Sequence, residues 1–512
     1  MTCGSHTTGR LLPTAACATI LLAGCVTTLD VKNQADLREA FPDPVRVLTV
    51  DRVEYTLTTY SADDSVLRGK GTIRADTGLV SFNGSIPFSR IVYIQATKSS
   101  VTRGLLAAGM ILTAAVFLGE AASDQGLGVF RPSEGSCPYV YARNGDAFVI
   151  QGESFGTAFG RALETRTSCM LPDLGPEGDV CIRLTNERPE THYVNSLRVR
   201  AFETPAGGTV VLDATGRAWP LVKPLGPIAG PEELRASDGV RWKSDLSAAG
   251  VGGDYRDRVM IAVPRSGDAT TGSIVVSAIN TRLVNAVYDQ VFGFLGDQSL
   301  RFLYEVEFDP ALVRTLQDWI RECALTVEVW KKGSWVVAGT ILPEANEVPF
   351  RKAVRVDADG VTGDSLLLRL SSLADTWELD AVEVDWTPAG PLPERTCRTE
   401  SAGHSLGASV DERLRATDDA YVRLLPGEWI EVRAERCTRS AGNQITYALD
   451  ATGYLYEWVP GLGNGRTLPA QPAALEQDRV AAVKELLRHR ELFLGMVFAG
   501  WQRMRLGLPP VN

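Results

Sequence analysis

The sequence predicts a mainly β protein: a small N-terminal β-barrel or meander, then antiparallel β-sandwich-type domains, with an apolar helix near 104–119 and a C-terminal amphipathic helix. Three observations carry this reading. Short runs rich in β-branched and aromatic residues recur between turn residues. The stretch from Trp377 to Trp386 alternates with period two over ten residues. Pro and Gly cluster at 220–231, 388–393 and 460–472, where strand-bearing stretches end.

The elements follow in order. Within 26–100 the runs Arg46-Val47-Leu48-Thr49-Val50, Glu54-Tyr55-Thr56-Leu57, Gly71-Thr72-Ile73-Arg74 and Ile91-Val92-Tyr93-Ile94 read as strands, with Asp63-Asp64 and Asn83-Gly84 as turn residues. Region 101–136 holds the sixteen uncharged residues Gly104 to Gly119. As a helix they reach about 24 Å, short of the roughly 30 Å of a bilayer core, so a buried or membrane-surface helix is expected there. Region 137–230 is read as a β-rich domain with one helix at Thr157 to Thr165. It opens on Tyr139-Val140-Tyr141 and Phe148-Val149-Ile150 around Asn144-Gly145, the signature of a type I′ hairpin turn. Region 255–390 carries Ile274-Val275-Val276, Leu325-Thr326-Val327, Ser365 to Leu370 and the Trp377 to Trp386 strand, and is expected to be a jelly-roll-like sandwich. Region 391–465 is a β module, and 466–512 ends in a helix with Val480, Val483, Leu487, Leu494, Phe498 and Trp501 at helical spacing.

The amino terminus holds the sharpest motif. Residues 1–24 contain one positive charge, Arg10, then the apolar run Ala15 to Leu22, then small residues, which is the layout of a secretory signal peptide. The run ends in Leu22-Ala23-Gly24-Cys25 and resembles the bacterial lipoprotein lipobox. That resemblance implies Cys25 as a lipidated first residue of the mature chain. Val26, rather than Asp, follows the cysteine, which implies the outer membrane where the host has one. Two or more acyl chains, at about 0.8 kcal/mol per buried CH₂, make a stable anchor.

Composition excludes other classes. Hydrophobic residues make up 45% of the 512 and charged ones 22%, which fits folded domains. The balance of 52 Lys+Arg against 62 Asp+Glu, with no basic block, excludes nucleic acid as partner. The 4 His and 9 Cys show neither C-x-x-C nor H-E-x-x-H spacing, so no metal and no cofactor is expected.

Several segments together resemble a widespread bacterial family of uncharacterised envelope proteins. They are Ser136-Cys137-Pro138-Tyr139-Val140-Tyr141, Asn144-Gly145, Gly152-Glu153, Gly160 to Glu164, Leu184-Thr185-Asn186-Glu187 and Glu190-Thr191-His192-Tyr193. Ile279-Asn280-Thr281, the Trp377 to Trp386 strand and Tyr447 with Gly453-Tyr454 and Glu457-Trp458 look like its later blocks. The resemblance implies the architecture and no activity.

Four sets of residues have chemical potential. Gly403-His404-Ser405-Leu406-Gly407 and Gly152-Glu153-Ser154-Phe155-Gly156 match the G-x-S-x-G nucleophile elbow, which requires a parallel sheet feeding a strained turn and a helix. Charged residues precede Ser405, and an antiparallel hairpin precedes Ser154, so Ser154 is expected to cap a helix. Glu190 and His192 would share one strand face, as a two-ligand metal pair or, the expected case, a solvated polar face or a hydrogen-bonded hairpin end. Trp377, Trp386, Tyr454, Tyr456 and Trp458 would stack on a sugar if exposed and pack in the core if not. Beyond Cys25, six cysteines remain after the signal, and six allow fifteen pairings. Of these, Cys397 and Cys437 bracket the 391–465 module, each beside a strand, and are the expected disulfide.

Together these readings lead to a lipid-anchored envelope protein that binds or scaffolds an envelope protein or glycan. A carbohydrate- or peptidoglycan-binding lipoprotein, with an open aromatic face on the 255–390 sandwich, and a lipid-anchored serine hydrolase using Ser405 or Ser154 are the alternatives.

Overall fold

The computed structural model describes residues 44–96, 138–457 and 478–505, apart from single residues and short stretches inside these ranges. The expected signal, Cys25, the apolar segment 104–119, Cys137 and Trp458 lie outside the described residues. The fold is mainly β, with several antiparallel sheets and, among the described residues, no closed barrel.

Strands β1 (Val45–Thr49), β2 (Glu54–Ala62), β3 (Val66–Ala75), β4 (Gly78–Pro87) and β5 (Ile91–Ala96) form one sheet in the order β4-β3-β2-β1-β5. It is a meander whose last strand returns beside the first, so of the two expected forms the open one is observed. Its apolar face, with Val45, Val47, Leu57, Leu67 and Ile86, closes over Leu425 from the body of the protein. Asn83-Gly84 is not a turn: it lies inside β4, opposite Lys70 and Gly69. These glycines serve close approach instead, since a Cβ on Gly69 would come within 2.9 Å of the Leu57 side chain.

The chain continues with β6 (Tyr139–Asn144), β7 (Ala147–Glu153), β8 (Thr165–Met170), β9 (Val180–Thr185) and β10 (Glu190–Pro205). The β6–β7 hairpin pairs Asn144 with Ala147, which makes Gly145-Asp146 the two-residue loop. Gly145 has φ 60 and Asp146 is not at positive φ, so the turn is of the II′ kind, with glycine first, rather than the expected I′. The helix expected at Thr157 to Thr165 is only a 3₁₀ turn at Arg161–Leu163, and β8 begins at Thr165.

Next come β11 (Thr209–Asp213), β12 (Ala218–Leu221), β13 (Trp242–Lys243), β14 (Arg256–Pro264) and β15 (Thr271–Asn280). Helices α1 (Leu283–Leu295), α2 (Ser299–Phe308) and α3 (Pro310–Glu322) follow, then β16 (Leu325–Lys331), β17 (Ser334–Ile341), β18 (Phe350–Asp357), β19 (Ser365–Leu373) and β20 (Trp377–Asp385). These strands build a sandwich of two sheets, β12-β11-β18-β15-β20-β13 and β14-β19-β16-β17. From β17 to β20 each connection crosses between the sheets. Alternate residues such as Ile261, Ile274, Val327, Leu368 and Val382 meet in the shared core. The Pro-rich stretch 220–231, expected as a boundary, falls within this sandwich, because β11 and β12 already belong to its larger sheet.

The remaining strands are β21 (Glu394–Thr396), β22 (Thr399–His404), β23 (Val422–Leu424), β24 (Trp429–Ala434) and β25 (Asn443–Glu457), with the short helix α4 (Asp411–Leu414) among them. They join β6 to β10 in a second sandwich of sheets β22-β24-β9-β6-β7 and β21-β10-β25-β8, with β23 beside β10. β10 pairs with β25 from Glu190↔Glu457 to Pro205↔Asn443, and β9 with β24 from Val180↔Ala434 to Thr185↔Trp429. Regions 137–230 and 391–465, read from sequence as two domains, therefore fold together, and the 255–390 sandwich is inserted between them in sequence.

Helix α5 (Arg479–Arg488) and helix α6 (Arg490–Arg505) end the described chain. Where one helix was expected, the backbone breaks at His489, at φ −95 and ψ 78. The five long helices form a layer whose apolar residues, among them Phe302, Leu316, Val483, Phe493 and Phe498, merge with the core of the second sandwich. Trp501 donates its indole N–H to Asp375, and Tyr255 stacks on Phe498 with centroids 5.3 Å apart, which ties α6 to the inserted sandwich. Among the described residues no helix is long and apolar enough to cross a membrane.

Candidate functional site

Glu190 and His192 are brought together as their i, i+2 spacing requires, with His192 Nε2 2.8 Å from Glu190 Oε2. Both are buried, at 1% and 0% exposure. They lie where β10 is flanked by β25 and β23, so His192 sits between Leu455 and Leu424. The Asn186 amide donates to the Glu190 carbonyl at 2.8 Å and to the Leu424 carbonyl at 3.1 Å, and the Phe155 ring meets the imidazole edge-on. The described residues contain no group of three or more His, Cys, Asp or Glu arranged to hold a metal. The arrangement is a hydrogen-bonded pair inside a sheet, not the solvated polar face expected, because β23 and β25 cover both sides of β10.

Burial pushes the His192 pKa down to about 3. The unfolded chain takes up a proton near pH 6.5 that the folded chain refuses, so the stability tied to this group is complete above that pH and is lost as pH falls toward 3. We expect the denaturation midpoint to drop across that window, with a slope of up to about 1.4 kcal/mol per pH unit. His192→Gln keeps a hydrogen-bonding partner for Glu190 and does not titrate, so it should flatten that slope. An unchanged slope in the variant would assign the pH dependence elsewhere.

The two serines stand apart from any such partner. Ser154 is buried, and among the described residues its Oγ makes no hydrogen bond and no helix follows for it to cap. Its neighbour Phe155 has φ 30, held by the Phe155 N–H donating to Thr167 Oγ1 at 3.2 Å. Ser405 lies in the turn after β22, an edge strand of an antiparallel sheet. Its N–H donates to the Trp429 carbonyl at 2.9 Å and its Oγ accepts from the Trp429 N–H at 3.3 Å. The adjacent His404 has both ring nitrogens engaged, Nε2 on the Arg423 carbonyl at 3.1 Å and Nδ1 accepting from the Leu406 N–H at 3.2 Å. That arrangement leaves no ring nitrogen to take a proton from Ser405. His489 is on the α5–α6 junction, paired with Glu485 at 2.9 Å.

The four described aromatic candidates are core residues. Trp377, Trp386, Tyr454 and Tyr456 are between 0% and 6% exposed. Trp377 Nε1 donates to the Cys323 carbonyl and Trp386 Nε1 to the Pro264 carbonyl, while Tyr454 stacks on Tyr193 at 4.8 Å. On the β16–β17 hairpin of the inserted sandwich a different ring, Trp330, is exposed, and half-buried Trp335 lies opposite it.

Cys397 and Cys437 are adjacent, with Sγ atoms 2.9 Å apart. Cys169 and Cys323 are separate buried thiols whose pKa burial pushes up to about 12. The sequence reading missed a charge cluster on β8, β10 and β25, in which half-exposed Arg166 and Arg198 and buried Arg200 all reach the buried Asp450 carboxylate. Its signal was present: Arg198 and Arg200 are two apart on a strand and so share a face.

No protein family and no curated protein matches the chain. Among solved structures, one from Sulfolobus Turreted Icosahedral Virus aligns at 7% identity over 63% of this chain and 90% of its own, with a TM-score of 0.13. An archaeal virus protein with a triple jelly roll fold aligns at 9% identity over 64% of this chain and 92% of its own, with a TM-score of 0.12. A structure of infectious bursal disease virus Gt strain aligns at 11% identity over 75% and 88%, with a TM-score of 0.11. At such TM-scores the alignments bear on neither fold nor function.

Proposed function

We propose that this chain is a lipid-anchored protein of the bacterial cell envelope whose β body binds or scaffolds another envelope component. In a host with two membranes it belongs on the periplasmic face of the outer membrane. One observation carries the reading: Leu22-Ala23-Gly24-Cys25 at the end of an apolar run, the pattern of a lipidated cysteine. The contact between Cys397 and Cys437 supports it, since a sulfur pair poised to bond suits an oxidising compartment. A binding role is preferred to hydrolysis because the hydroxyl of Ser405 is held by a backbone amide and that of Ser154 is buried without a partner among the described residues. Metabolic labelling with a palmitate analogue should mark the wild type and leave Cys25→Ala unlabelled. Equal labelling of the two proteins would overturn the anchor.

A further inference from the structure

The outer face of sheet β14-β19-β16-β17 sets an exposed tryptophan and apolar residues around a fixed ion pair. Residues alternate along its strands, so Ile261, Leu368, Val327 and Val329 enter the core while their neighbours point outward. The registers Met260↔Arg369, Arg369↔Glu328 and Glu328↔Val337 make one row across all four strands. Trp330 and Trp335 lie directly opposite each other in the next row of the hairpin. Their rings stand 5.2 Å apart at 63°, edge to face. A turn with Lys332 at φ 50 and Gly333 at φ 82 fixes that register, as a type I′ hairpin does.

This face stays open to solvent. Met260 is 64% exposed, Val337 58%, Leu367 46% and Trp330 39%. Trp219, Trp319, Trp377, Trp386 and Trp501 each donate the indole N–H to a protein acceptor. Among the described residues Trp330 and Trp335 make no such bond, and neither do Trp242 and Trp429. At the centre Arg369 grips Glu328 with two bonds, Nε at 2.6 Å and Nη2 at 2.7 Å, and its guanidinium lies 4.7 Å from the centre of the Trp335 ring. The result is a free indole beside a fixed, planar set of donors and acceptors.

We infer that this face binds a β-linked pyranose polysaccharide, one sugar stacking on Trp330 while its hydroxyls bond to Arg369 and Glu328. Equatorially substituted pyranoses present C–H faces to an aromatic ring and project their hydroxyls in the ring plane, toward neighbouring charged groups. Trp335 holds Arg369 in place from beneath. A lipid surface fits worse, because bilayer contact would desolvate the Arg369–Glu328 pair at the middle of the patch. The inference rests on the binding role proposed above and adds its ligand class, while standing independent of the Cys25 anchor.

The test uses the full chain in detergent with three solid phases, peptidoglycan sacculi, chitin and α-linked dextran, and with phospholipid vesicles. Wild type should be retained on the two β-linked polymers and not on dextran or vesicles. Trp330→Ala should weaken retention about tenfold or more, and Trp330→Tyr, which keeps a ring, should restore most of it. Trp429→Ala, an exposed tryptophan on the other sandwich, should bind as wild type. If Trp330→Ala fails to fold, Glu328→Gln carries the test and should weaken retention alone. Absence of wild-type retention, equal retention by the variants, or retention on vesicles instead would each overturn the site. Palmitate labelling reads the anchor separately, so either result can fail without the other.

Discussion

Asp450→Ala is expected to destabilise the protein by about 3–5 kcal/mol, read as a fall in the urea or thermal denaturation midpoint. Asp450 sits mid-strand on β25, opposite Arg198 on one side and Ser168 on the other. Its carboxylate accepts from Ser168 Oγ at 2.7 Å and lies 2.7 Å from Arg200 Nη2, 2.7 Å from Arg166 Nη2 and 3.0 Å from Arg198 Nη2. Arg166 and Arg198 are nearly half exposed and can turn to water, but Arg200 is 1% exposed and cannot. Without Asp450 it keeps Glu394 at 2.9 Å and the Gly216 carbonyl at 2.8 Å, but shares Glu394 with Arg198 at 3.8 Å, while Arg166 loses its carboxylate. The cost is that of an under-paired buried cation, so adding Arg200→Met should recover part of it, and Asp450→Asn should fall between wild type and Ala. A loss below about 1 kcal/mol for Asp450→Ala would show that Arg200 reaches water when its partner is removed.

What the sequence made legible was local. Strand β20 covers the stretch expected to alternate, but the alternation does not run unbroken. Trp377 and Leu379 enter the core, and after a bulge at Asp380 the phase shifts to Val382 and Val384, a slip set by the pairing with β15 that the period alone does not reveal. Pairing between distant strands has no local mark either. Nothing in Val180–Thr185 says that its neighbour is Trp429–Ala434, and so one sandwich was read as two domains. The helices at 283–322 were missed for a physical reason. Leu283–Leu295 is rich in valine and aromatic residues, has no side-chain cap at its start, and forms a helix because its apolar residues meet α5, α6 and the sandwich core. Its neighbour α3 did carry a signal, Asp309 before Pro310, and the Asp309 carboxylate accepts from the Ala311 and Leu312 N–H groups. At the candidate site, spacing revealed that Glu190 and His192 share a face. Their burial depends on β23 and β25 and could not be read from spacing.

Cys397 and Cys437 should be joined by a disulfide in protein recovered from an oxidising compartment, and breaking it should cost about 4 kcal/mol, the loop-closure term for a separation of 40 residues. Cys397 follows β21 and its N–H donates to the Val199 carbonyl at 2.9 Å, which anchors it to β10. Cys437 follows β24 in the facing sheet, so the bridge would link the two sheets of one sandwich. Their Sγ atoms are 2.9 Å apart, and a small approach completes a bond of about 2.05 Å, two protons and two electrons passing to the oxidant of the compartment. In the reduced state burial, and then the neighbouring Cys437 thiol, hold the Cys397 pKa well above the ordinary thiol range. An unbridged pair would therefore be slow to react and would persist as two thiols. Non-reducing peptide mapping should recover the two cysteines in one linked species. Reductant should lower the denaturation midpoint of the wild type, and the Cys397→Ser, Cys437→Ser double variant should start at that lower midpoint and not respond to reductant. Recovery of both residues as alkylated thiols from protein purified without reductant would reject the bridge.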